Sequence, residues 1–121
     1  METFFNAANA ASAGVEIESF RALFSESCEL CMVQYSNFSS AYAMGQAAEG
    51  TLYQTWDIEV QDSSSDQALV LTTVDTGSIS LTDADGVLID SFPAEESVTT
   101  VWTLGRQPDE TWLIIDAADL P

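Results

Sequence analysis

Apolar residues recur with a helical period through the first third of the chain and with a period of two thereafter. In "ETFFNAANAAS", Phe4, Ala8 and Ala11 fall on one face, which predicts a helix that Gly14 ends. "EIESFRALF" predicts a second, shorter helix, with Ile17, Phe20, Leu23 and Phe24 on one side and Glu16, Glu18 and Arg21 on the other. Ser25 or Ser27 is placed to cap a third helix, with Glu26 and Glu29 where the helix dipole favours negative charge. Its apolar stripe runs Cys28, Cys31, Tyr35, Phe38, Tyr42 and stops at Gly45.

After Glu49 the pattern alternates. "TLYQTWDIEVQ" sets Leu52, Gln54, Trp56, Ile58 and Val60 against Tyr53, Thr55, Asp57 and Glu59. "DSSSD" reads as a loop and "QALVLTTVDT" as a strand. "SISLTDADGVLID" reads as two short strands about an Asp85-Gly86 turn. "SVTTVWTLGR" puts Val98, Thr100, Trp102 and Leu104 on one face, and "TWLIID" puts Trp112, Ile114 and Asp116 together. Helices followed by antiparallel strands give an α+β class, with N-terminal helices packed on a curved, cone-like sheet. All 121 residues form one expected domain, 1–121. A chain of this length buries roughly two-thirds of its unfolded surface, and 46% apolar residues can fill the core without a metal or a cross-link.

Charge narrows the partners. Twenty acidic residues face two basic ones, Arg21 and Arg106, with no lysine or histidine, for a net charge of −18. Nucleic acids and anionic membrane surfaces need a cationic patch, so neither is an expected partner. The acids are scattered, which suits the wetted surface of a folded domain rather than a disordered tail. Self-repulsion on this scale opposes self-association, so a monomer or a weak dimer through the outer sheet face is expected. No apolar run reaches the ~18 residues of a membrane span. "METFFNAANA" lacks the basic start and apolar middle of a signal peptide, so the chain reads as cytoplasmic or as a mature domain with an added methionine.

Cys28 and Cys31 are the only cysteines. Met32 stands where a haem-attachment motif carries histidine. Zinc lacks its four ligands, because there is no histidine and no second cysteine pair; no metal and no cofactor is expected. A redox dithiol usually follows a strand, whereas this pair follows a helix. Glu26 and Glu29 raise a thiol pKa while a helix start lowers it. A short clip at the start of a helix is sterically allowed, with Cα atoms ~5–6 Å apart, and would stabilise by about 2 kcal/mol. Two free buried thiols are what a cytoplasmic location would leave.

"FFNAANAASAG", "FRALFSESCELCMVQYSNFSSAYAMGQAAEG", "DADGVLID" and "VWTLGRQPDETWLI", together running from Phe4 to Ile115, resemble an actinobacterial family of predicted lipoproteins whose shared region is catalogued as a domain of unknown function. The layout is also similar to the nuclear-transport-factor-2-like superfamily, with its α+β cone and late tryptophan-bearing strand. The first resemblance implies export, a lipid anchor on a cysteine upstream, and an oxidising location at the cell envelope. It therefore implies a Cys28–Cys31 disulfide. It implies no reaction.

"DADG" begins like a calcium loop, but position 12 counted from Asp83 is Ala94, so a hairpin turn with Gly86 at positive φ is the expectation. Tyr35, Phe38, Tyr42, Gln54, Trp56, Trp102, Trp112 and Asp116 are candidates to line a pocket in the cone, although aromatics on inner faces most often serve simply as core. The functional expectation is a non-catalytic extracytoplasmic domain that binds a small apolar ligand or an envelope protein. Its alternatives are a small cone-fold isomerase or hydrolase using an inward Asp116 or Asp57 as base, and a thiol–disulfide protein using Cys28 and Cys31. Without histidine no Ser-His-Asp or Cys-His arrangement can be built.

Overall fold

The computed structural model describes residues 1–120. Three helices, α1 (Glu2–Ser12), α2 (Ile17–Arg21) and α3 (Glu29–Ala43), precede seven strands. The strands are β1 (Ala47–Glu49), β2 (Tyr53–Ser63), β3 (Gln67–Thr76), β4 (Ile79–Thr82), β5 (Leu88–Phe92), β6 (Glu95–Arg106) and β7 (Trp112–Asp119). All pairings between them are antiparallel, in a four-stranded sheet ordered β2-β3-β6-β7 and a three-stranded sheet ordered β1-β4-β5. The class is α+β, with the N-terminal helices against the larger sheet, as the change of period indicates. The small sheet departs from a simple meander. The β4–β5 hairpin leaves the main sheet and pairs with β1, a strand the alternation does not announce.

Helix α1 takes its expected bounds, and Phe4, Ala8 and Ala11 are buried together with Phe5. Phe4 meets Trp102 of β6 edge-on at 4.9 Å between ring centroids, and Phe20 of α2 lies 5.2 Å from Phe4. Each such side chain contributes about 1.5–3 kcal/mol by leaving water. Helix α2 ends at Arg21, earlier than its apolar period. The Leu23 carbonyl and the Ser25 N–H bond the backbone of Ile114 on β7 instead, so Phe24 forms a bridge to that edge strand.

The cap of α3 is Cys28 rather than a serine, its sulfur accepting the Cys31 N–H at 3.3 Å. The expected stripe is buried only at its start. Cys28 and Cys31 are inaccessible, Tyr35 and Phe38 are half-buried, and Tyr42 is exposed. Burial therefore falls off along the helix toward its C-terminal end.

Two bulges decide which side chains face the helices. In β2 the register shifts between Tyr53 and Thr55, leaving Gln54 out of the pairing. Tyr53 and Trp56, predicted on opposite faces, therefore both meet Phe5, at 4.8 and 5.3 Å. In β7, Thr103 pairs with Asp116 but Leu104 pairs with Ile114, so Ile115 is the extra residue. Beyond it Ala117 and Asp119 stand opposite the inward Trp102 and Thr100. Further shifts between β3 and β6 and between Val60 and Asp62 add to the bend of the sheet. Asp75 ties three strands together: Oδ1 accepts the Ser97 N–H of β6 and Oδ2 the Thr55 hydroxyl of β2, each at 2.9 Å. Those bonds, that from Ser97 first, hold its carboxyl below the ordinary carboxylate range.

The Asp83–Gly86 segment is a hairpin turn. Asp83 Oδ1 accepts the N–H groups of Asp85 and Val87, and Gly86 supplies a φ of 82°. Gly50, at φ 114°, joins the two sheets where a Cβ would strike the Ser78 carbonyl.

Candidate ligand pocket

A cavity of about 720 Å³ opens between α3, the main sheet and the small sheet. Helix α3 presents Leu30, Gln34, Phe38 and Ala41, a stripe rotated from the one that the aromatic pattern marks, and Met44 follows just past its end. The main sheet supplies Val74, Val98, Thr72, Thr100 and Trp102. The small sheet closes a side with Ala48, Ile79, Leu81 and Phe92, and Phe5 and Tyr53 complete the inner end. The walls are mainly apolar, and the volume lies within the ~300–1,000 Å³ of small-molecule sites.

The inner polar groups are arranged in pairs. The Trp102 Nε1–H donates to Thr72 Oγ1 at 2.7 Å, both groups being buried. The Thr100 hydroxyl donates to Asp119 Oδ1 at 2.7 Å. Gln34 Nε2 donates to the Tyr53 phenol oxygen at 2.8 Å. Burial pushes the Tyr53 phenol above its ordinary pKa; the Gln34 bond acts against this and the Asp119 charge adds to it. Tyr53 therefore remains a neutral O–H donor at neutral pH. Gln34 Oε1 is buried and has no partner among the described residues.

The residues singled out from the sequence divide. Phe38 and Trp102 line the cavity. Trp56 stands behind Phe5, one layer outside it. Gln54 is exposed in its bulge, and Tyr42 is exposed near the end of α3. Tyr35 turns to the outer side of the helices, where its hydroxyl donates to Glu18 Oε1 at 2.8 Å and Arg21 lies over its ring. Trp112 is 41% exposed at the start of β7. Asp116 is carried out of the cavity by the Ile115 bulge. It lines a separate surface depression with Ser27 and Thr103, and Oδ1 accepts the Ala117 N–H. Asp119 occupies the inward place predicted for Asp116. Asp57 is exposed on edge strand β2.

The pattern omits Gln34, Tyr53, Thr72 and Asp119 from the site. Gln34, Phe38 and Ala41 share a helical face, which is a readable signal. Nothing in the alternation announces the shifts that turn Tyr53 and Asp119 inward.

The Cys28 and Cys31 sulfurs stand at disulfide distance, with Cα atoms 5.3 Å apart, in the core beneath the first turn of α3. No group of three or more potential metal-ligating side chains gathers among the described residues. No described helix is long and apolar enough to cross a membrane.

No protein-family model and no curated protein matches this chain. Among solved structures, that of Aln2 from a Streptomyces species is similar in fold, with a TM-score of 0.56 and 12% identity over 98% of this chain and 85% of that chain. The likeness concerns the fold alone.

Proposed function

We propose that this chain is a non-catalytic binding domain of the cell envelope that holds a small, mainly apolar molecule in the cavity beneath α3. The cavity itself carries the reading: its apolar walls converge on a few fixed polar groups, the usual make-up of a ligand site. The cone-like layout, with the resemblance to the nuclear-transport-factor-2-like superfamily noted from the sequence, is in keeping with it. The enzyme alternative loses its two named bases, Asp116 lying outside the cavity and Asp57 on an exposed edge; the acid that does line the wall, Asp119, has Oδ1 engaged by the Thr100 hydroxyl.

Location at the envelope rests on the lipoprotein resemblance and on the cysteine pair. Complete burial of both sulfurs favours a structural cross-link over a redox centre. Intact mass of exported protein under non-reducing conditions is expected to lack two thiol hydrogens. Reduction should lower stability by about 2 kcal/mol in urea titrations. Two free thiols in that material would count against both the cross-link and the location.

The ligand reading is tested with N-phenyl-1-naphthylamine, a neutral apolar fluorophore. Emission should rise and saturate at one probe per chain. Ala41→Trp, which extends an indole into the cavity, should abolish the rise while the chain stays folded by circular dichroism. Absence of saturable binding to the parent chain, or unchanged binding to the variant, refutes the reading.

A further inference from the structure

The charges around the cavity specify which apolar molecules suit it, an inference that rests on the ligand-binding reading just given. The charged residues that line it are Glu95 and Asp119, both acids. The chain has only two basic side chains, and both are engaged elsewhere. The Arg21 guanidinium donates to the Phe24 carbonyl at 2.7 Å and lies over the Phe24 ring. Arg106, the last residue of β6 and so at the opposite end of that strand from Glu95, pairs with Glu110 at 3.1 Å. A ligand carboxylate, sulfate or phosphate would therefore enter a negative field with no basic side chain on the cavity wall to receive it.

A ligand cation meets the opposite situation. Asp119 lies on the cavity wall, with Oδ1 fixed by the Thr100 hydroxyl, and it is exposed enough to stay hydrated until a ligand arrives. The same cavity is walled by Phe38, Ile79 and Leu81, and its volume of about 720 Å³ has room for the apolar body of such a molecule. The cavity makes the site, and the acids set the sign of the charge it accepts. We infer that the pocket selects organic ammonium ions with an apolar body (cationic amphiphiles) and rejects the carboxylate of the same skeleton.

Calorimetric titration with decylammonium, 1-decanol and decanoate, each kept below its micelle concentration, tests this on the full chain. At low ionic strength decylammonium should bind about tenfold or more tightly than decanoate, with decanol between them. In about 1 M sodium chloride the gap should narrow, as a partly exposed ion pair requires. Asp119→Asn retains an acceptor for Thr100 and should reduce the ammonium preference to a third or less of its parent value, by rough Coulomb arithmetic. Ala41→Trp should abolish decylammonium binding.

Equal affinities, or tighter binding of decanoate, overturn the inference. So does an undiminished preference in Asp119→Asn, or decylammonium binding that survives Ala41→Trp and therefore belongs to the acidic outer surface. If N-phenyl-1-naphthylamine binds and the three probes do not discriminate, only the charge selectivity fails. If that neutral probe does not bind, the pocket reading fails with it.

Discussion

Trp102→Ala is expected to destabilise the chain by about 3–5 kcal/mol, measured as the shift in a urea or thermal unfolding midpoint. Trp102 is 2% exposed and lies where the two halves of the fold meet. Its ring abuts Phe4 and Phe5 of α1, and its Nε1–H holds the buried Thr72 hydroxyl on the neighbouring strand. Alanine would leave a void under α1 and remove the Thr72 partner together. Set against the ~5–15 kcal/mol of a typical domain, the loss consumes much of the total and should lower the melting temperature by roughly 10–20 °C. Trp102→Phe keeps an aromatic ring but removes the donor, so it should cost less, about 1–3 kcal/mol. A loss below about 1 kcal/mol in the alanine variant would mean that the helices are not held to the sheet through this ring.

Asn9→Ala is expected to cost about 2–3 kcal/mol, because it leaves two main-chain groups short of partners at a bulge. Asn9 Nδ2 donates to the Tyr53 carbonyl at 2.9 Å, and its Oδ1 accepts the Tyr53 N–H at 2.8 Å. The amide thus acts as a strand's edge, supplied by a helix, at the point where β2 slips register. Its removal should loosen Tyr53, which lines the cavity, and so weaken N-phenyl-1-naphthylamine binding as well as lower the unfolding midpoint. An Asn9→Ala chain with parent stability and parent affinity would show that the bulge is held by the sheet alone.

The parts of the fold legible in the residues are those governed by uninterrupted periodicity. Helix α1 and strand β3 fall within their predicted bounds, and the inner face of β6 is the predicted Val98, Thr100, Trp102, Leu104 row. The turn at Asp83–Gly86 is also legible, since its chemistry is local. Long-range pairing is not. The extra residues Gln54 and Ile115 invert the inward face without disturbing the alternation on either side, which moves Gln54 and Asp116 out of the site and brings Tyr53 and Asp119 in. Helix α3 misleads for a related reason. Its aromatic stripe suggests burial along its full length, yet its C-terminal half covers a cavity and leaves Tyr42 in solvent.

The claim that everything functional depends on is that the space under α3 accepts a molecule. A crystal structure of the full chain grown with N-phenyl-1-naphthylamine measures it most directly. Electron density for the probe between Phe38, Val74 and Trp102, with α3 still standing off the sheet, is the expected result. A chain in which α3 has settled onto the sheet, its Phe38 filling the space and no probe inside, would contradict the account.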